Sequence, residues 1–98
     1  MIRHTVVFRL KHDVGSQEEL LFLEAGKELA NISTVNNFEC LRQVSKKNNF
    51  DFGFLMEFNS QADYEYYKEH SDHRKFVQSR WRLEVEEFLE IDYEVMAL

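Results

Sequence analysis

The chain reads as an α+β, ferredoxin-like domain, βαββαβ, with a four-stranded antiparallel sheet and its helices on one face. Two observations predict this. The order of apolar patterns is strand, helix, strand, strand, helix, strand, which is the split βαβ arrangement. The period of those patterns switches between two and 3.6 with short polar breaks between. The expected strand order is 4-1-3-2. With 98 residues, no Pro and no repeat or low-complexity linker, residues 1–98 are expected to fold as a single domain around one core.

The first strand spans Ile2 to Lys11. Ile2, His4, Val6, Phe8 and Leu10 share one face; Arg3, Thr5, Val7 and Arg9 share the other. Gly15 suits the following turn, and Ser16 with Glu19 forms a capping-box pair opening a helix to about Asn31. Leu21, Phe22, Ala25 and Leu29, flanked by Leu20, Leu23 and Ala30, give its apolar stripe, and Gly26 permits close packing on the sheet. The second strand is Phe38 to Ser45, with Phe38, Cys40, Arg42 and Val44 opposed by Glu39, Leu41 and Gln43. Lys46-Lys47-Asn48-Asn49 is the hairpin connection, since Asn tolerates positive φ. The third strand, Phe50 to Phe58, carries the row Phe52, Phe54, Met56 and Phe58. Asn59 or Ser60 starts the next helix, which bears Tyr64, Tyr66 and Tyr67; these three cannot all share one face.

The polar break His70-Ser71-Asp72-His73 follows, with Ser71 or Asp72 as cap of the last helix. Phe88 to Val95 is the last strand. Its row Leu89, Ile91, Tyr93 and Val95 is expected to join Phe8, Phe52 and Phe54 beneath the helices.

The opposite sheet face is expected to pair with a second copy. Val7, Leu41 and Leu55 place an apolar centre where an uncovered face would be polar, and a charged rim surrounds it. The predicted partner is therefore the chain itself, as a homodimer. Arg3 and Arg9 are expected to meet Glu90, Asp92 and Glu94 on the neighbouring strand. A net charge of −6 and a pI near 5.2 disfavour nucleic acid and anionic membrane as partners. No run of about 18 apolar residues predicts a membrane span, and no signal-peptide core opens the chain. The single Cys40 cannot form an internal disulfide, which fits a cytoplasmic location; it reads as a small core residue rather than a nucleophile.

Three blocks carry a family resemblance: Ile2–Lys11, Asp51–Phe58, and Tyr67–His73 followed by Phe88–Tyr93. Together they resemble the stress-responsive dimeric α/β-barrel (Dabb) family across almost the whole chain. The resemblance implies ferredoxin-like protomers paired sheet to sheet into a barrel. It also implies, from a plant polyketide cyclase of the family, a His at the break and a Tyr shortly before it, inside a cavity between helices and sheet. Those roles fall on His73 and Tyr67, and a first-strand His on His4. Ser71 stands where the family usually has Pro, and Phe52 where the cyclase has a further His. Some plant relatives hold a divalent cation with backbone carbonyls after the first helix, which corresponds to Asn31 to Val35.

Three functions follow from these readings. The first is binding of a small, largely apolar ligand in a cavity whose wall includes His4, Phe8, Phe54 and Trp81. The second is a cofactor-free cyclase or isomerase, with His73 as acid/base and the Tyr67 hydroxyl on a substrate carbonyl. The third is a stress-related structural protein without ligand. The alternative for His4 is a core histidine with one bonded nitrogen, and for His73 a bond near the helix start. His70 and His73 are two imidazoles only, too few for a closed zinc site, so no metal and no cofactor are expected. His12 and the run Glu84, Glu86, Glu87 and Glu90 read as solvated.

Overall fold

The structure, a computed structural model, describes residues 1–98. Its elements are β1 (Ile2–Leu10), α1 (Gln17–Lys27) with a 3₁₀ turn (Glu28–Asn31), β2 (Asn36–Arg42), β3 (Phe52–Phe58), α2 (Gln61–Glu69), α3 (Ser71–Phe76) and β4 (Val85–Glu94). Between α3 and β4 the chain runs through a π-helical stretch, Val77–Trp81, and a last turn, Arg82–Glu84. The sheet order is β2-β3-β1-β4 with every pair antiparallel, as expected.

Local signals account for most element ends. The Ser16 hydroxyl accepts the Glu19 N–H, and the Glu19 carboxylate returns a bond to Gly15 N–H, which buries Glu19. Gly15 has φ +81°, a conformation that costs glycine little. Ser60 caps α2 through the Asp63 N–H. The cap of α3 is neither Ser71 nor Asp72 but His70, whose Nδ1 accepts the Asp72 N–H at 3.0 Å. The one non-glycine positive φ is at Asn37, where β2 shifts register against β3, and not at Asn48 or Asn49.

The core is built of rings. Val6, Phe8 and Leu10 of β1 and Phe52, Phe54, Met56 and Phe58 of β3 are buried beneath Phe22, Leu29, Tyr64, Tyr67 and Phe76. Leu20 and Leu21 lie outside it, about half exposed. Gly26 lets α1 approach the sheet: a Cβ there would stand 2.4 Å from Phe54 Cζ.

The expected phase of β4 is overturned. In the β1–β4 register Phe8 opposes Phe88, Val6 opposes Glu90 and His4 opposes Asp92, while Val7 opposes Leu89 and Thr5 opposes Ile91. Residues opposed in an antiparallel pair share a face. Phe88, Glu90 and Asp92 therefore point toward the helices, and Ile91, Leu89 and Tyr93 toward the open face. The ion pairs change accordingly: Arg9 meets Glu86 and Glu87, and Arg3 meets Glu57. The open face consequently carries Val7, Leu41, Leu55, Leu89, Ile91 and Tyr93 together. Of these Leu41, Leu89, Ile91 and Tyr93 are 43%, 50%, 38% and 53% exposed. No helix is long and apolar enough to cross a membrane.

Candidate functional site

Between the helices and the β1–β4 half of the sheet lies a cavity of about 550 Å³. This falls within the range of roughly 300–1,000 Å³ typical of small-molecule sites. Eleven of its sixteen lining residues are hydrophobic. Leu29, Val6, Phe54 and Met56 form the inner wall; Phe76, Val77, Trp81, Val85 and Phe88 form the outer one; His4, Tyr64, Tyr67, Lys68, His73, Arg82 and Glu90 supply the polar atoms.

Each polar group is placed by a local cause. Tyr64 and Tyr67 are three apart on α2, share its buried face and stack, while Tyr66 points outward. His73 sits in the first turn of α3. Its Nδ1 lies 3.0 Å from the Lys68 carbonyl, so Nδ1 carries the proton and donates it, and Nε2 remains an acceptor. Its ring lies 4.5 Å from that of Tyr67. Burial pushes the His73 pKa below its ordinary value of 6.5, with the His4 imidazole adding to the effect, so the ring is a neutral base at neutral pH. Burial, reinforced by the Glu90 charge, holds the Tyr67 hydroxyl well above the ordinary phenol range. Tyr67 therefore stays a proton donor, and its side chain lines the cavity, where no group of the chain takes up the hydroxyl.

His4 combines both expected roles: it is 5% exposed, lines the cavity, and is bonded through one nitrogen. Its Nδ1 lies 2.6 Å from Asp92 Oδ1, and the Tyr64 hydroxyl donates to Asp92 Oδ2 at 2.9 Å. Both oxygens of Asp92 are thus satisfied. Burial, then the bond to Asp92, raises the Tyr64 pKa far above its ordinary value. Donor atoms of His4, Glu90 and Asp92 lie within 4.8 Å of one another, close enough to surround a cation. The His4–Asp92–Tyr64 bonds already use the Nδ1 proton and both Asp92 oxygens, so an ion would have to break them. His70 and His73 do not converge, since their Nδ1 atoms serve the α3 cap and the Lys68 carbonyl. In the Asn31–Val35 segment the Thr34 hydroxyl is buried without a partner.

The structure brings His4, Tyr67, His73, Phe54 and Trp81 into the lining of one cavity. Phe8 is not on it. It is fully buried one layer deeper, 5.1 Å from the Trp81 ring and 4.8 Å from that of Phe54, and supports the wall from behind. Tyr64, Glu90 and Asp92 are the polar residues that sequence reasoning missed. The available signal was the alternation of Phe88, Glu90 and Asp92 opposite His4.

The fold and this cavity define a ferredoxin-like protomer with a ring-lined pocket under its helices. The chain belongs to the stress responsive A/B barrel domain (Dabb) family, whose model matches residues 2–95. It is similar to a Dabb family protein with a ferredoxin-like fold from Mesorhizobium loti, at 55% identity over 98% of this chain and 97% of that one, with a TM-score of 0.95. It shares its fold with a dimeric protein of unknown function from Bacteroides fragilis, at 24% identity over 96% and 95% of the two chains, with a TM-score of 0.73. It shares it also with a hydroxynitrile lyase from Passiflora edulis, at 16% identity over 99% and 94%, with a TM-score of 0.85. No curated protein matches the chain.

Proposed function

We propose that this chain, as one Dabb domain over residues 1–98, forms a cytoplasmic homodimer that binds a small, largely apolar molecule in the cavity of each protomer. The observation that carries the ligand reading is a buried phenol without a partner. Tyr67 lines an apolar cavity with a free hydroxyl, beside the free Nε2 of a neutral His73. A donor and an acceptor that both open into an apolar cavity suit a ligand that completes both. His4, Phe54 and Trp81 shape the wall, with Phe8 behind it. The dimer reading rests on the six-residue apolar patch of the open face, centred on Val7, Leu41 and Leu55, which is larger than the sequence alone suggested.

Trp81 is the only tryptophan and lines the cavity, so its fluorescence reports occupancy directly. Titration with small neutral aromatic compounds is expected to give a saturable change, weakened about tenfold in Tyr67→Phe, in line with loss of one buried hydrogen bond. No saturable change with any of them, together with no small molecule retained after purification, would reject the reading.

The second reading is a cofactor-free cyclase or isomerase. It is favoured by the His73 geometry, in which one nitrogen is pinned and the other is free and basic. His73 Nε2 would take a proton from carbon next to a carbonyl, while the Tyr67 hydroxyl donates to the oxygen on which charge develops. His73→Asn keeps the donor to the Lys68 carbonyl and removes the base. Turnover should vanish in that variant while folding persists; unchanged turnover would exclude His73 as the base.

A further inference from the structure

Glu90 is the one carboxylate lining the cavity, and the chain gives it no close partner of its own. It follows Phe88 by two residues on the inward face of β4, and both line the cavity. Its nearest hydrogen-bond donors are the Tyr64 hydroxyl at 3.4 Å and His4 Nδ1 at 3.8 Å. Each of those has one proton to give, and each lies closer to Asp92, at 2.9 and 2.6 Å. No Lys or Arg lies within ion-pair distance of Glu90. The two cations at the cavity are otherwise disposed: Lys68 is paired with Glu65 at 3.0 Å and lies over the Tyr64 ring, and Arg82 is exposed. Two carboxylates, Glu90 and Asp92, thus face one imidazole, and the surplus charge is at the rim. Tyr67, Phe76, Trp81 and Phe88 supply ring surfaces alongside it. Aromatic faces attract cations and do not attract anions.

We infer that Glu90 makes the cavity selective for a positively charged ligand, an apolar or aromatic amine whose ammonium group sits between Glu90 and the rings. The inference rests on the reading of the cavity as a ligand site. The ammonium protons supply what the carboxylate lacks and complement the His73 Nε2 acceptor. The apolar body replaces water against Phe54 and Trp81.

Three probes of one shape test it: 2-phenylethylammonium, 2-phenylethanol and phenylacetate, titrated into the wild-type protein and Glu90→Gln. The side chain of Glu90 is half exposed, so the variant keeps the fold, which circular dichroism verifies. The expected result is an ammonium affinity about tenfold above that of the carboxylate in wild type, falling to within about threefold in Glu90→Gln, as loss of one partly screened charge contact requires. A carboxylate probe that binds as well as the ammonium, or a preference unchanged in Glu90→Gln, overturns the inference. Binding of 2-phenylethanol without charge preference overturns it and leaves the ligand site standing. Failure of all three probes at millimolar concentration overturns both.

Discussion

At His73 one hydrogen bond decides which nitrogen can act. The Lys68 carbonyl holds the Nδ1 proton, and burial keeps the ring neutral. Because the folded-state pKa lies below the unfolded value of 6.5, the unfolded chain binds the proton more readily. The stability from this group is complete above about pH 6.5 and is lost as pH falls toward the folded-state value. Denaturant midpoints should therefore decline between about pH 7.5 and 5.5, and His73→Asn should flatten part of that decline. An identical decline in the variant would show that His73 is not the group responsible. His4 is held differently. Its Nδ1 is bound to Asp92, which is in turn held by the Tyr64 hydroxyl, so the ring is fixed at the cavity wall by two residues distant in sequence. Tyr64→Phe removes the second of these holds and is expected to destabilise the fold by about 1 kcal/mol, read by chemical denaturation.

Among the elements, α1 and β4 show opposite sides of what a pattern reveals. Gly26 was legible as a packing residue, and the structure gives the cause: Phe54, almost wholly buried, fills the space a Cβ would need. Gly26→Ala is expected to destabilise by about 1–3 kcal/mol despite its better helix propensity, because the buried Phe54 ring must shift to admit the new Cβ. A neutral or stabilising result would mean that α1 can lift off the sheet. Phe54→Ala removes the ring itself and should cost about 3–5 kcal/mol. In β4, by contrast, apolar residues mark both faces. Leu89, Ile91 and Tyr93 form the longer apolar row, yet Phe88, Glu90 and Asp92 point inward. Periodicity gives the alternation and not its phase, and a one-residue slip exchanges the faces. The phase is set by His4, which takes Asp92 as its partner, and by the open face, which collects the apolar row. The helix cap at His70 was equally hidden, since an imidazole nitrogen that accepts a backbone N–H leaves no compositional trace. The strand order was legible from the order of the elements and the β1 and β3 faces from alternation within each strand, whereas Tyr67 and His73 were singled out by the family resemblance alone.

The whole molecule uses both faces of one sheet. Rings close a cavity on one side, and an apolar patch spans all four strands on the other. Patches of that kind on a small chain mark association, and in the proposed homodimer this surface would meet itself across a two-fold axis. Leu55→Asp places a charge at the centre of the patch and should give a folded monomer, seen as a lower sedimentation coefficient at micromolar concentration; an intact dimer in that variant would put the interface elsewhere. Native mass spectrometry of the protein purified without added ligand tests both faces at once. The account predicts a species of two chains that releases a small organic molecule on activation. Single chains carrying nothing, at micromolar concentration, would contradict it.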